Sequence, residues 1–220
     1  MPLRRPRQAT LEALLRLELV GHEDPATAAL IRDLAVVRTR GSFTRGEFVR
    51  MCRWKSPRAR RLWESNSAAR IRSVSRRVLA TRSEPRRMEL LTALRGVGVP
   101  IASAILTLID PRRYGVLDIR AWQLLFAMRS VAANRRAQGF TIAQWAQYLA
   151  ALRHHARRLR VSARAIEYTL FLCHRKLQRG LLYDPPPSAR TAPPPPAGGR
   201  ARGRPSGSAR ARRRPGAGRG

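Results

Sequence analysis

Two short stretches of this sequence hold residues whose types and spacing could do chemistry. In Leu94-Arg95-Gly96-Val97-Gly98-Val99-Pro100-Ile101-Ala102 a helical pattern ends on a glycine, one apolar residue intervenes, and a second glycine leads into another helical pattern. Glycines tolerate positive φ and carry no Cβ, so such a turn can present backbone N–H groups beside a helix N-terminus. Those groups and the helix dipole favour an anion, which makes the turn a grip for a phosphate that reads no base. Gly96, Val97, Gly98 and Val99 are the candidate contacts, with Val97 facing back between the helices as an apolar anchor. Further on, Asp118 precedes Ile119, Trp122 and Leu125 as the N-cap of a third helix. An N-cap of this kind is worth about 1 kcal/mol and also supplies a fixed carboxylate. Each feature has a plainer use: a Gly can serve only to turn a hairpin, and an Asp only to cap.

Arginines form the other chemical signal. The run Arg53-Trp54-Lys55-Ser56-Pro57-Arg58 and the face made by Arg70, Arg72, Arg76 and Arg77 are candidates for phosphate contact, with Arg53, Lys55 and Arg58 foremost. His154, His155 and His174 stand at no metal-ligand spacing, so no metal site is expected. Cys52 and Cys173 fall on apolar helix positions and read as core thiols; two cysteines cannot build a disulfide framework or an iron–sulfur cluster.

Composition sets the partner class. The 220 residues carry 45 Lys+Arg against 13 Asp+Glu, a formal net charge of +32. Residues 184–220 hold nine arginines and one aspartate, so the first 183 residues keep +24 of that charge. GC-rich coding accounts for Arg in place of Lys but not for the shortage of acids. A body this basic repels itself, and a polyanion is its natural counter-surface. Nucleic acid fits best, because each neutralised phosphate releases counterions; an anionic membrane surface is the competing reading, but no amphipathic helix with an exposed apolar face stands out. The longest apolar run, Val97 to Ile109, falls short of the roughly 20 residues that span a bilayer. The N-terminus lacks the apolar stretch of a secretory signal. A soluble intracellular chain with reduced thiols is expected.

The elements that must position these residues are helical. Thr10 can cap a helix with Leu11, Leu14, Leu15 and Leu19 inward. Asp24-Pro25 is an N-cap followed by Pro at the first helical position, Thr44 and Glu47 have capping-box spacing, and Asn66 is expected to cap a helix carrying Ile71, Val74 and Val78. Ser83 starts the helix that stops at Gly96. Thr141 and Ser162 cap two longer helices, the second ending at Gly180. No alternating strand pattern competes, so the fold class is all-α. Expected organisation is a basic arm over 1–9, a helical domain over 10–182 with the hairpin at 86–108 and the aspartate segment at 110–129, and a Pro/Arg/Gly-rich tail over 183–220. That tail cannot bury enough apolar surface to offset its ordering entropy and is expected to be disordered.

The hairpin and the aspartate together resemble the helix-hairpin-helix DNA glycosylase superfamily, the endonuclease III and adenine glycosylase group. Its hairpin reads L-P-G-V-G-x-x-T-A, and V-D-T-H follows before another helix. Leu94, Gly96, Val97, Gly98 and Ala102 fall on the first pattern, and Val116-Leu117-Asp118-Ile119-Arg120 stands where the second would. The resemblance implies a helical glycosylase-like bundle over roughly 28–180, double-stranded DNA as partner, Gly96 to Val99 on a backbone phosphate with a monovalent cation possible on the hairpin carbonyls, and Asp118 as the catalytic carboxylate. Arg120 replaces the family's His and joins the candidate DNA contacts. Pro100 stands where lyase-competent members carry a lysine, Lys55 lies far off in sequence, and the four-Cys cluster is absent. The implied activity is therefore monofunctional hydrolysis of the N-glycosidic bond of a damaged or mismatched base, in base excision repair, by a monomeric cytoplasmic, nucleoid-associated protein needing no other cofactor. A flipped base needs a pocket and a wedge, for which Trp54, Trp63, Tyr114 and Trp122 are candidates. The alternatives are a catalytically silent DNA-binding protein on the same scaffold and a basic RNA- or ribosome-associated protein.

Overall fold

A computed structural model describes residues 3, 6, 7, 10–179 and 182 of the chain. The tail over 183–220 and most of the arm over 1–9 lie outside the described residues. Among the described residues the regular elements are helical: α1 (Leu11–Glu18), α2 (Pro25–Leu34), α3 (Val36–Arg40), α4 (Arg45–Lys55), a 3-10 turn (Pro57–Ala59), α5 (Arg60–Glu64), α6 (Ala68–Ala80), α7 (Glu84–Thr92), α8 (Val99–Ile109), α9 (Ile119–Ala127), α10 (Ile142–Leu159) and α11 (Ala163–Leu177). None is long and apolar enough to cross a membrane.

Local chemistry sets most of the helix starts. Thr10, Asp24, Ser83, Asp118, Thr141 and Ser162 each accept a backbone N–H from the first turn of the helix they open. Thr44 and Glu47 complete a reciprocal capping box at α4. Three boundaries differ from the sequence expectation. Helix α7 ends at Thr92, four residues before Gly96. The cap of α6 is Ser67, one residue after Asn66. Asn66 is spent on tertiary structure instead: its Oδ1 accepts from Arg95 N at 3.0 Å and its Nδ2 donates to Arg95 O at 3.0 Å. Helix α11 ends at Leu177, and Gly180 lies outside the described residues.

The core is organised around α8. Ile101 to Ile109 are buried without interruption, because α2, α4, α7 and α10 pack around this helix on different sides. A helix apolar on every face has to be enclosed, and α8 is. Its two interior hydroxyls are satisfied: Thr107 Oγ1 donates to Ser103 O and Ser103 Oγ donates to Pro100 O, each at 2.8 Å.

The turn before α8 is tight. Gly96 has φ +75°, and a Cβ there would lie 2.7 Å from Leu62 Cβ and 2.8 Å from Trp63 N on α5. Val97 is 4 % exposed and packs into the core between the two helices, as its apolar character requires. Gly98 is the N-cap of α8 with φ −83° and no side-chain cap bond, and a Cβ there would meet only Pro100 Cδ, at 3.8 Å. So the first glycine is demanded by the fold, whereas the second leaves an open, uncapped helix end. Gly96→Ala is expected to cost about 2 kcal/mol or more, from the left-handed backbone and the clash with α5, and Gly98→Ala at most about 0.5 kcal/mol. Chemical denaturation measures both, and equal costs would refute this division of roles.

Candidate functional site

After α8 the chain turns at Asp110 and runs back, extended, along the helix it has just left. Three buried contacts fix the returning segment. Val116 N donates to Glu167 Oε2 at 3.2 Å, Val116 O accepts from the Tyr148 hydroxyl at 2.8 Å, and Leu117 N donates to Ser103 Oγ at 2.9 Å. Gly115 lets it pass, since a Cβ there would stand 2.4 Å from Leu152 Cδ1 and 2.8 Å from Glu167 Cβ. Ser103 lies five residues into α8 from Gly98, a rise of roughly 7.5 Å at 1.5 Å per residue. The segment therefore carries Asp118 back toward the hairpin end of α8.

Asp118 then opens α9. Its Oδ1 accepts from Arg120 N at 2.9 Å, and its Oδ2 accepts from Lys55 Nζ at 2.7 Å. The lysine that looked remote in sequence is thus the carboxylate's ion-pair partner, because α4 ends beside the start of α9. Both side chains are largely shielded, 16 % exposed for Lys55 and 18 % for Asp118. Burial pushes the Asp118 carboxyl up, but the Lys55 charge and the bonds from Lys55 and Arg120 outweigh it and hold the pKa below the usual aspartate value.

The pair faces a cleft of about 350 Å³ walled by the N-terminus of α2, the C-terminus of α4 and one face of α11. Trp54, Tyr168 and Phe171 give it an aromatic lining, while Asp24, Thr27, Arg164 and Glu167 supply polar groups. Trp54 is oriented by its Nε1 donating to Thr27 Oγ1 at 3.0 Å, and the Thr27 hydroxyl donates in turn to Asp24 Oδ2 at 2.9 Å. Arg164 lies 5.6 Å from the Trp54 ring centre and 4.8 Å from that of Tyr168. It makes a two-pronged contact with Glu23, at 2.6 and 2.9 Å, and a short one with Glu167. Burial pushes the Glu167 carboxyl up, with Arg164 opposing. Arg164 is thus held by two acids, while the Lys55 ammonium pairs with Asp118.

The other sequence candidates are dispersed. Arg120 is half-buried beside the cleft, its guanidinium 5.8 Å from the Phe171 ring centre and bonded to Gln178 Oε1. Arg53 and Arg58 are exposed on the outer side of α4 and the 3-10 turn, Arg53 within 3.9 Å of Glu64. Gly96 to Val99 do not line the cleft; Gly96 packs against Leu62 and Trp63 of α5 instead. Of the aromatic candidates only Trp54 reaches the cleft. Trp63 and Trp122 are fully buried and Tyr114 is 3 % exposed, so these three are core. His174 is buried, paired with Gln123 Oε1 at 2.9 Å and pushed down to about 4 by burial. No group of three or more metal-ligating side chains occurs among the described residues. The carbonyls of Leu94, Arg95 and Gly98 each already accept a hydrogen bond, so a monovalent cation at the turn would have to share their remaining lone pairs.

Sequence reasoning missed Ser103, Glu167 and Tyr168. A hydroxyl inside an otherwise apolar helix was a usable signal for Ser103, since a buried polar group needs a partner. Glu167 carried the same signal among apolar neighbours on α11. Comparison of the chain with protein-family models, curated proteins and solved structures gives no significant match.

Because the folded pKa of Asp118 is depressed, the pair's contribution to stability is present above the ordinary carboxylate range and is lost as pH falls through the folded value. Lys55→Met is expected to cost about 1–3 kcal/mol at neutral pH, less than a fully buried pair, and progressively less as acid protonates Asp118. In the same variant the Asp118 carboxyl resonance should titrate at higher pH than in the native protein; an unchanged titration would show that the lysine does not set its charge.

Proposed function

We propose that the chain is a DNA glycosylase of the helix-hairpin-helix type, acting on double-stranded DNA and removing a damaged or mismatched base. The observation that carries this reading is the Lys55–Asp118 pair at 2.7 Å, facing an aromatic cleft. The uncapped start of α8 supplies backbone N–H groups and the positive helix end for a phosphate. The positive charge of the chain supplies affinity for the rest of the backbone. A base turned out of the stack would enter the cleft beside Trp54, Tyr168 and Phe171. As the bond from C1′ to the base nitrogen breaks, positive charge builds on the sugar, and the Asp118 carboxylate stabilises it. Water then adds through its oxygen to C1′, and the departing base takes up a proton.

One observation favours a second course for the same site. The expectation of purely hydrolytic chemistry rested on the lack of a hairpin lysine, yet Lys55 places an amine against the carboxylate. That amine could take the place of water: the ammonium gives one proton to the departing base, its nitrogen bonds to C1′ as the C1′–base bond breaks, a second N–H proton passes to the ring oxygen as the C1′–O4′ bond opens, and the resulting iminium is one that borohydride reduces to a stable cross-link.

The decisive assay incubates the protein with duplexes that each hold one altered or mismatched base and reveals abasic sites with alkali. Cleavage of at least one duplex, reduced about a thousandfold in Asp118→Asn, is the expected result. Binding without cleavage on a broad panel would leave the silent DNA-binding reading. Borohydride trapping of the native protein on its cleaved duplex, absent in Lys55→Met, assigns the step to the amine; cleavage without trapping assigns it to water. Gly98→Asp should weaken duplex binding more than tenfold by setting a negative charge against the phosphate.

A further inference from the structure

At the far end of α8 from the hairpin turn lies a second concave site, with a volume of about 570 Å³ and five arginines in its wall. Arg112 and Arg113 come from the turn after α8, and Arg153, Arg157 and Arg160 come from the end of α10. The last three are spaced i, i+4 and i+7, which puts them on one helix face. Eleven residues of α8 separate this site from the glycine turn, about 16 Å along the helix.

Half of the cluster is built in advance. Glu84 Oε1 accepts from Arg113 Nη2 at 2.9 Å and from Arg153 Nη2 at 2.8 Å, while Arg153 Nε donates to the Arg113 carbonyl at 2.9 Å. Both guanidinium groups flank the Tyr114 ring, at 5.5 and 5.2 Å from its centre. The Tyr114 hydroxyl donates to Glu84 Oε2 at 2.7 Å. Burial pushes the Glu84 carboxyl up, but Arg153, Tyr114 and Arg87 hold it below the usual value, so it stays charged as a brace. The other half is uncompensated: Arg112, Arg157 and Arg160 have no acidic partner among the described residues. Arg160 also sits in the left-handed region, at φ 55° and ψ 39°, where a glycine would be less strained. Like charges gathered in a hollow at a conformational cost call for an anion with several negative groups at fixed spacing.

We propose that this pocket binds a run of phosphate groups, by guanidinium forks and independently of the Asp118 cleft. The phosphates could belong to a nucleic-acid strand or to a free polyphosphate, and the chemistry of capture is the same. The test uses the full-length protein with two probes, sodium tripolyphosphate and an undamaged DNA duplex, at moderate salt. Arg157→Gln/Arg160→Gln removes two exposed arginines from the pocket. Arg135→Gln/Arg136→Gln removes the same charge from the exposed loop between α9 and α10 and serves as the reference, with thermal melting to verify that both fold. The pocket pair should weaken at least one probe about tenfold more than the loop pair does. Loss confined to tripolyphosphate assigns the site to a free polyphosphate; loss of duplex binding, with or without the other, assigns it to a nucleic-acid strand. Equal effects of the two pairs on both probes would overturn the proposal. The same binding should persist in Asp118→Asn, so failure here and failure of base removal are read separately.

Discussion

Bringing Lys55 and Asp118 together requires α4, the returning segment and α9 to be placed to within a fraction of an ångström, and much of the surrounding structure serves that placement. Charges held in a partly buried cleft are costly unless paired and hydrogen-bonded, and this pair meets both conditions through the Lys55 ammonium and the Arg120 amide. Fixing Asp118 falls to the segment before it, whose backbone is bonded to Glu167, Tyr148 and Ser103. Fixing Lys55 falls to α4, locked at its start by a capping box and at its end by the oriented ring of Trp54. The cleft exists because these two placements leave a gap against α11 that Arg164 braces and does not fill.

Scarcity of acid makes each carboxylate informative in so basic a chain. Every described acidic side chain except Asp24 is paired with a base, and Asp24 caps α2 and holds Thr27. Both lysines are engaged as well, Lys55 with Asp118 and Lys176 with Glu18. What remains is a large surplus of guanidinium groups on the surface. They weaken the fold through mutual repulsion. The acids divide accordingly between local helix clamps such as Glu89 and braces such as Glu84 and Glu167 that join separate elements.

How much was readable beforehand depended on the range of the interaction. Helix starts at Thr10, Asp24, Thr44, Ser83, Asp118, Thr141 and Ser162 were legible because a cap acts within one turn of its own residue. The hairpin at Gly96–Gly98 and the burial of Val97 were legible for the same reason. Asn66 misled because its amide prefers a partner 29 residues away to the helix beside it. Trp63, Tyr114 and Trp122 were equivocal until packing assigned them to the core, since an aromatic at helical spacing looks the same in a wall and in a pocket.

The sequence alone determined an all-helical chain, its basic character, the glycine turn before a buried helix and a carboxylate capping the helix that follows. Those properties are local or additive, so residue order and composition suffice to fix them. Only the tertiary structure decided that Lys55 meets a carboxylate 63 positions away, that Trp54 and Tyr168 face a cleft, and that five arginines from two segments share one hollow. Each of these is a long-range juxtaposition created by helix packing, and no spacing along the chain encodes which helix faces meet.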